Sequence, residues 1–298
     1  MSKQIGKSGY TAIIGRPNVG KSTLLNRFIG QKLAITSHKP QTTRHSILGV
    51  KTRDEGQIVY VDTPGIHRRG TQPMNKYLNR TAYNVLSDVD LLLFVVQAGV
   101  WNREDKLVLK SVINAKLPTI LVINKIDEID SKKDLLPFID EVSKQYDFIN
   151  IMPVSALKGK HVDELEDLVL ENLPEGENIY PDDHLTDRSE KFFAAEFIRE
   201  QLTRQFHQEL PYATTVEIES FKEDGKMYRI SGLIWVERQG QKVIIIGKKG
   251  ESLKKVGTQA RKSMEEFYGR KVFLELWVKV KDSWSSDEAS LSRLGYSD

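Results

Sequence analysis

The chain has 298 residues, of which 39% are apolar and 29% charged, as is typical of a globular protein with one or two domains. It contains no cysteine, which excludes disulfides, thiolate metal ligands and cysteine nucleophiles. No apolar run is long enough to span a bilayer and the N-terminus has no apolar signal-peptide core, so we expect a cytoplasmic protein. The formal net charge is +3, but residues 241–281 hold eleven Lys or Arg against four Glu, so we expect this part to bind a polyanion.

Residues up to about 173 alternate short apolar runs with amphipathic segments. The runs that we expect to be strands are Tyr10–Ile14, Ser46–Lys51, Gln57–Asp62, Leu91–Gln97, Thr119–Asn124 and Ile149–Val154. Such alternation predicts an α/β fold with a doubly wound, mostly parallel sheet that binds its ligand at the carboxyl ends of the strands. The short polar link TRDEG predicts that the second and third runs form an antiparallel hairpin at one edge.

The segment Gly15–Ser22, GRPNVGKS, fits the phosphate-loop pattern G-x-x-x-x-G-K-[ST] between a predicted strand and a predicted helix. Its glycines let successive N–H groups point at an anion, and the helix adds its positive end. We expect Lys21 to reach the β- and γ-phosphates and the Ser22 hydroxyl to bind Mg²⁺. The expected nucleotide contacts in this loop are Gly15, Arg16, Pro17, Asn18, Val19, Gly20, Lys21, Ser22 and Thr23.

A second motif, DTPG, follows the strand that ends at Asp62. A carboxylate at this position can hold Mg²⁺ through water, and the Gly65 N–H can donate to a γ-phosphate. The expected nucleotide contacts are therefore Asp62, Thr63, Pro64 and Gly65. Taken alone, the motif could equally be an ordinary turn.

Two further motifs follow later strands. Asn124-Lys125-Ile126-Asp127 is an N-K-x-D sequence, in which the Asp127 carboxylate accepts hydrogen bonds from guanine N1–H and N2–H₂, a donor pair that adenine lacks. Ser155-Ala156-Leu157 would place backbone N–H groups at guanine O6. The expected base contacts are Asn124, Lys125, Asp127, Ser155 and Ala156.

Together these motifs resemble the translation-factor-like P-loop GTPases. GRPNVGKS with a TTR-containing switch and DTPG is similar to the branch that contains the Era and tRNA-modification GTPases. The resemblance implies GTP and GDP as ligands and Mg²⁺ as cofactor. It places the first switch at Gln31–Arg44, with Thr43 as the magnesium threonine and Thr42 as the alternative, and the second switch at Ile66–Asn79.

The resemblance also bears on hydrolysis. Ile66 stands where some GTPases carry a water-orienting Gln, so we expect slow intrinsic turnover. His67 is the next polar side chain, but a single His near a site is more often incidental. Similarity to the tRNA-modification branch implies that Asn18 helps to bind K⁺ beside the phosphates. The residues expected to act in catalysis are Asn18, Lys21, Thr43, Asp62 and Gly65.

The second half of the chain has a different pattern. The helix predicted at Val162–Asn172 ends a first domain at 1–173, and the acidic segment 174–188, with its Pro and Gly, reads as a linker. The domain at 189–281 is predicted from a helix around Phe192–Leu202, a hairpin, helices around a glycine loop and a last strand, and 282–298 forms a polar tail. The strands and second helix are expected at Thr214–Phe221, Met227–Val236, Glu251–Tyr268 and Lys271–Lys281.

The segment Gly247-Lys248-Lys249-Gly250 follows an isoleucine run and opens a lysine-rich helix, and it resembles the G-x-x-G loop of a type II KH domain. Such a loop clamps about four single-stranded nucleotides. The expected RNA contacts are Gly247, Lys248, Lys249, Gly250, Lys254 and Lys255, with an apolar groove formed by Ile244–Ile246, Leu253 and Val256. The alternative is a basic α+β domain that docks protein or membrane.

A GTPase domain followed by a KH domain at this length resembles the Era family over essentially the full chain. The resemblance implies a monomer that binds the 3′ end of 16S ribosomal RNA and assists maturation of the small ribosomal subunit, with peripheral association at the cytoplasmic face of the inner membrane. One alternative is a membrane-associated signalling GTPase that docks through its basic domain. Another is a tRNA-modification enzyme, whose family uses a cysteine that this chain lacks.

Overall fold

The structure is a computed structural model, and it describes residues 6–66, 73–129 and 131–296. The described residues fall into two compact units. The first lies within Met1–Ala34, Thr43–Gly70 and Leu78–Asp187, and the second within Ile35–Thr42, Thr71–Tyr77 and Arg188–Asp298. No helix among these described residues is both long and apolar enough to cross a bilayer.

The first unit is a mostly parallel sheet with helices between its strands. Its strands are β1 (Gly6–Ile14), β2 (Ile47–Arg53), β3 (Gly56–Asp62), β4 (Leu91–Gln97), β5 (Thr119–Asn124), β6 (Asn150–Pro153) and β7 (Glu175–Gly176). Its helices are α1 (Lys21–Ile29), α3 (Arg103–Ala115), α4 (Lys132–Ser143) and α5 (Val162–Glu171), and α2 (Pro73–Val85) passes from one unit to the other.

The strands are ordered β2-β3-β1-β4-β5-β6, and β2 is antiparallel to β3 while the others in this order are parallel. Both the mostly parallel sheet and the hairpin were predicted. The central strands β4 and β5 are runs of branched and aromatic residues that are buried on both faces, as parallel strands covered by helices must be. Because the parallel strands share one direction, the motifs that follow β1, β3 and β5 meet at one edge of the sheet.

The segment predicted as a linker, 174–188, lies against the first unit up to Asp187. Strand β7 pairs antiparallel with the start of β1, where Gly6 lies opposite Gly176. Further along, the Gln57 side chain accepts hydrogen bonds from two backbone N–H groups of the segment, and the Val50 N–H donates to the Leu185 carbonyl at 2.9 Å. The backbone of this segment is therefore hydrogen-bonded to the first unit at several points.

The second unit contains α6 (Glu190–Gln205), β8 (Thr214–Asp224), β9 (Met227–Val236), α7 (Gln239–Ile246), α8 (Glu251–Tyr268), β10 (Lys271–Val280) and α9 (Glu288–Arg293). Its sheet has the order β10-β9-β8, with β10 parallel and β8 antiparallel to β9. The helix–strand–strand–helix–helix–strand order is that expected of a type II KH domain. The aromatic rings of Phe193 and Phe267, 4.8 Å apart, pack α6 against α8.

The segment predicted as a polar tail, 282–298, is packed into the second unit over its described part. Trp284 is fully buried, and its indole N–H donates to the Ala213 carbonyl at 3.2 Å. The Tyr296 ring stacks on Trp284, and its hydroxyl is hydrogen-bonded to Thr215 at 2.8 Å. Two aromatic side chains thus fasten a segment whose composition is otherwise polar.

Candidate functional site

The phosphate loop between β1 and α1 is closely packed at both glycines. A Cβ on Gly15 would lie 2.4 Å from the Val95 carbonyl oxygen. Gly20 has a φ of 101°, and a Cβ there would lie 2.2 Å from the Asn124 side-chain nitrogen. The loop therefore requires glycine at these two positions, for close approach at the first and also for backbone conformation at the second.

Lys21 lies across the loop. Its ammonium group donates to the carbonyl oxygens of Gly15 and Arg16, at 3.1 and 3.0 Å. Burial lowers the pKa of Lys21 to about 8, opposed by the attraction of Asp62 and reinforced by the repulsion of Arg16. The structure thus holds the Lys21 ammonium group against the backbone carbonyls of the phosphate loop.

Three side-chain oxygens converge beside the loop. The Ser22 hydroxyl donates to Asp62 Oδ2 at 2.6 Å and lies 2.8 Å from the Thr43 hydroxyl, which is 3.5 Å from the same carboxylate oxygen. The hydroxyl of Thr42, the alternative magnesium threonine, instead donates to the Lys39 carbonyl at 2.6 Å. Of the two threonines, the geometry favours Thr43.

The donor set at this point fits Mg²⁺. Asp62 is fully buried, and its Oδ1 has no hydrogen-bond partner among the described residues. Burial raises the pKa of Asp62 to about 6, although Lys21 and the hydrogen bonds from Ser22 and Thr43 lower it. Hard oxygen donors around a buried carboxylate are what Mg²⁺ prefers, and a divalent cation would favour the ionised form.

The DTPG segment is held against the end of β1 and packs closely on the phosphate loop. The Thr63 hydroxyl donates to the Ile13 carbonyl at 2.9 Å. A Cβ on Gly65 would lie 2.8 Å from the Pro17 backbone nitrogen, so only glycine allows this approach. Ile66 is fully buried in the core of the first unit. This agrees with the prediction that its aliphatic side chain does not orient the attacking water. His67, the next polar residue, lies outside the described residues.

The two base-recognition motifs are joined to each other and to the phosphate loop through Asn124. Its amide nitrogen donates to the Val19 carbonyl at 2.8 Å, and its oxygen accepts from the Ala156 N–H at 2.9 Å. The Ser155 hydroxyl donates to Asp127 and so orients that carboxylate. The structure therefore brings together all the motifs that were predicted to bind the nucleotide.

The Arg16 side chain makes contacts that the sequence did not predict. Its guanidinium is within 3.2 Å of the buried Asp105 carboxylate and donates to the Gln97 side chain at 3.1 Å. Asp105 belongs to a capping box with Asn102 at the start of α3. That capping pattern is visible in the sequence, but its link to a residue 89 positions away is not.

The described residues 35–42 of the predicted first switch belong to the second unit, against α6. The Arg199 guanidinium forms an ion pair with Glu196 at 2.6 Å and donates to the Thr42 carbonyl. Glu200, fully buried, accepts from the Thr36 N–H at 3.2 Å. The sequence predicts the helix that carries Glu196 and Arg199 but assigns these residues no role, although acidic residues three positions before and one position after an Arg on a helix are a signal of ion pairing.

The predicted RNA loop has the backbone of a tight turn. Gly247 and Gly250 have φ values of 73° and 79°, and Lys249 between them is also left-handed at 52°. A Cβ on Gly247 would lie 2.6 Å from the Ser252 Cβ, so glycine is required there. Four lysines in and after this loop are exposed: Lys248, Lys249, Lys254 and Lys255.

An open groove of about 360 Å³ lies beside this loop, between α8 and β10. Leu253 lines it, as predicted, together with Leu274 and Leu276 of β10, which were not predicted. Ile245 and Val256 are fully buried, so the prediction that they line the groove was wrong. Their apolar character serves the core beneath it.

The fold and the site define a P-loop GTPase joined to a KH domain. A family model described as 50S ribosome-binding GTPase matches residues 10–125, and a KH domain model matches residues 209–285. GTPase Era of Ectopseudomonas mendocina is 55% identical over 99% of this chain and 98% of its own, and GTPase Era of Pseudomonas aeruginosa is 54% identical over 98% and 96%.

Two solved structures agree. One is Aquifex aeolicus Era, a variant bound to GDP and aluminium tetrafluoride, and the other is Era in complex with MgGDPNP and nucleotides 1506–1542 of 16S ribosomal RNA. Each has a TM-score of 0.95 and 41% sequence identity to this chain. The match covers 98% of this chain and 100% of the other. The chain belongs to the Era GTPase family, and it is accordingly a GTP hydrolase.

Proposed function

We propose that this protein binds the 3′ end of 16S ribosomal RNA through its second unit and uses GTP binding and hydrolysis in its first unit to time small-subunit maturation. The observation that carries the proposal is the exposed, lysine-bearing turn at Gly247–Gly250, beside an apolar groove, in a chain similar to an Era bound to 16S ribosomal RNA. A cation-flanked groove of this kind suits unpaired nucleotides.

In the first unit, the chain's own residues position the triphosphate. Lys21 places positive charge at the β- and γ-phosphates, and the Gly65 N–H donates to a γ-phosphate oxygen. Ser22, Thr43 and Asp62 would hold Mg²⁺, which supplies positive charge where the leaving phosphate develops negative charge. Asp127, oriented by Ser155, selects guanine by accepting from N1–H and N2–H₂.

Turnover in this scheme is slow, because buried Ile66 cannot orient the attacking water. We infer that a monovalent cation at Asn18, an exposed residue of the loop with a φ of 64°, contributes charge to the transition state. Comparison of hydrolysis rates in KCl and NaCl of equal ionic strength tests this. Faster turnover in KCl that is lost in Asn18→Ala supports it, and equal rates in the two salts contradict it.

The RNA role is tested by the affinity for the 3′-terminal 16S segment with a non-hydrolysable GTP analogue, with GDP and without nucleotide. We expect the tightest binding with the GTP analogue, because an ordered first switch selects the RNA-competent state. Equal affinity in the three conditions would remove the coupling and leave the RNA role. Absence of binding in all three would overturn the proposal.

The proposed site of action is the cytoplasm, where ribosomal RNA is assembled, and the proposed acting form is a monomer. Peripheral attachment to the inner membrane, which the family resemblance implied, stays a prediction. Co-sedimentation with anionic vesicles in the presence and absence of the RNA segment would test it. Binding that the RNA displaces would mean that lipid and RNA share the basic surface.

A further inference from the structure

The Arg16 side chain, in the second position of the phosphate loop, contacts the start of α3 and the end of β4. Its Nε lies 3.2 Å from the Asp105 carboxylate, and one terminal nitrogen donates to the Pro17 carbonyl at 3.3 Å. The other terminal nitrogen donates to Gln97 Oε1 at 3.1 Å. The planar guanidinium thus binds three parts of the first unit at once: the backbone of the phosphate loop, the start of α3 and the end of β4.

Asp105 makes this anchor rigid. Its side chain is fully buried, and it also accepts a hydrogen bond from the Asn102 backbone N–H at 3.0 Å. Burial raises the pKa of the Asp105 carboxyl, while Asn102 and Arg16 act in the opposite direction. A buried carboxylate of this kind is stable in its ionised form only with its cationic partner in place. The position of Arg16 is therefore set by α3.

Gln97 extends the contact towards the base-recognition motif. Its amide oxygen accepts from Arg16, and its amide nitrogen donates to Glu128 at 3.0 Å. Glu128 in turn forms an ion pair with Lys125 at 3.3 Å. Lys125 and Glu128 flank Asp127 in a single 3₁₀ turn. This series of contacts, Arg16–Gln97–Glu128–Lys125, is called the relay here.

We propose that Arg16 is a positioning residue, and that the relay sets the position of Asp127 relative to the phosphate loop and thereby sharpens the selection of guanine. The relay supplements the direct link from Asn124 to the Val19 carbonyl, which fixes the start of the same turn. Without the relay, the far side of the turn loses its support from Gln97. The inference rests on the proposed role of Asp127 in reading the base.

The test compares the dissociation constants of GDP and IDP, because the hypoxanthine base of IDP lacks the 2-amino group that Asp127 is proposed to bind. Gln97→Ala cuts the relay at a half-buried side chain and leaves the Arg16–Asp105 pair intact. Arg16→Lys keeps a cation for Asp105 but cannot also reach Gln97. Arg103→Lys, on an exposed arginine of α3, is the matched control.

We expect Gln97→Ala and Arg16→Lys each to lower the ratio of the IDP to the GDP dissociation constant by about threefold to tenfold, with no change in Arg103→Lys. The double variant should differ little from either single variant, because both act on one relay. If both variants keep the wild-type ratio, or weaken GDP and IDP equally, the positioning role is wrong although base reading stands. A wild-type ratio near one would overturn both.

Discussion

The nucleotide site and the RNA loop of this protein are built in opposite ways. The polar groups of the first, among them Lys21, Asp62, Asn124 and Ser155, are buried and hydrogen-bonded to one another or to the backbone. The lysines of the second are exposed around glycines with left-handed backbone. The nucleotide site is pre-organised for one ligand, whereas the RNA loop presents exposed charge to a flexible ligand.

This difference sets how each site should respond to substitution. Removing a buried group leaves its partners unsatisfied in a low-dielectric site, so the loss is large and specific to the position. Removing an exposed lysine deletes one phosphate contact, and the loss is small, depends on salt and adds to that of its neighbours. Substitutions at the two sites should therefore differ in the size of their effects and in how those effects depend on salt.

The largest effect should come from Lys21→Ala. Because the ammonium group is buried inside the loop at 3.1 Å or less from its carbonyls, no mobile side chain can replace it. We expect single-turnover GTP hydrolysis to fall by about 10²- to 10³-fold. Lys110→Ala, on an exposed position of α3, should leave the rate unchanged. A loss under fivefold in the Lys21 variant would mean that the loop is not pre-organised around this cation.

Asp62→Asn should separate stability from activity in the protein freed of nucleotide and Mg²⁺. The folded protein raises the pKa of Asp62 to about 6, from 3.8, so it binds this proton more tightly than the unfolded chain does. The free energy of unfolding should therefore fall as the pH rises from about 4 to about 6, by roughly 3 kcal/mol in total. Asparagine removes this pH-dependent loss.

At pH 7 we therefore expect Asp62→Asn to unfold several degrees higher than the wild type, about 2 to 4 °C per kcal/mol, while it loses Mg²⁺-dependent hydrolysis. Differential scanning calorimetry between pH 4 and pH 7 measures the first effect. Asp88→Asn, on an exposed aspartate, is the control and should do neither. An Asp62 variant that is less stable than the wild type at pH 7 would show that this carboxylate supports the fold.

The RNA loop offers the contrasting test. Lys248→Gln combined with Lys249→Gln removes two exposed charges and replaces each lysine by another long, unbranched side chain. We expect the affinity for single-stranded RNA to fall about tenfold at low salt, and the slope of log affinity against log salt to fall by about 1.4. Hydrolysis without RNA should not change. Lys222→Gln with Lys226→Gln removes the same charge from the β8–β9 hairpin.

If the hairpin variant weakens RNA binding as much as the loop variant, net charge rather than the Gly247–Gly250 turn determines affinity. If the loop variant loses affinity with an unchanged salt slope, the two lysines do not contact phosphates. Either result would contradict the contrast between a pre-organised site and a site of exposed charge.

The motifs at the strand ends could be predicted because each is a short local sequence, and because parallel strands carry their carboxyl ends to one edge. The bounds of β4 and β5 were predicted to the residue, since each consists of consecutive apolar residues with a polar residue at one or both ends. The pairing of Arg16 with Asp105 could not be predicted, because it depends on how α3 packs beside the loop. The same holds for Leu274 and Leu276, whose position in the groove depends on how β10 packs beside α8.

In two polar segments, composition alone did not predict how closely the chain packs. The acidic segment after Leu173 read as a linker, yet Gln57 binds its backbone at two N–H groups. The segment after Lys281 read as a polar tail, yet Trp284 and Tyr296 bury it in the second unit. The anchor is a side chain of β3 in the first case and two aromatic side chains of the segment itself in the second, and neither kind of anchor leaves a periodic pattern.

The smallest effect that we predict concerns Arg199, which is buried like the groups of the nucleotide site but belongs to the second unit. Its guanidinium pairs with both oxygens of Glu196, at 2.7 and 2.6 Å, and also donates to the Thr42 carbonyl. Arg199→Lys can keep the pair with Glu196 but cannot make all three bonds. The backbone next to Thr43 should therefore open more often, and Thr43 should complete the magnesium site in fewer molecules.

We expect Arg199→Lys to slow single-turnover hydrolysis by about threefold to fivefold at saturating GTP. The GDP affinity should not change, because GDP lacks the γ-phosphate that is expected to order the first switch. Hydrogen exchange should be faster at the amides of residues 35–42 and unchanged in β4. Arg293→Lys, on an exposed arginine of α9, is the control. Exchange at residues 35–42 that equals the wild type, with hydrolysis nonetheless slowed, would show that Arg199 acts by another route than holding this segment.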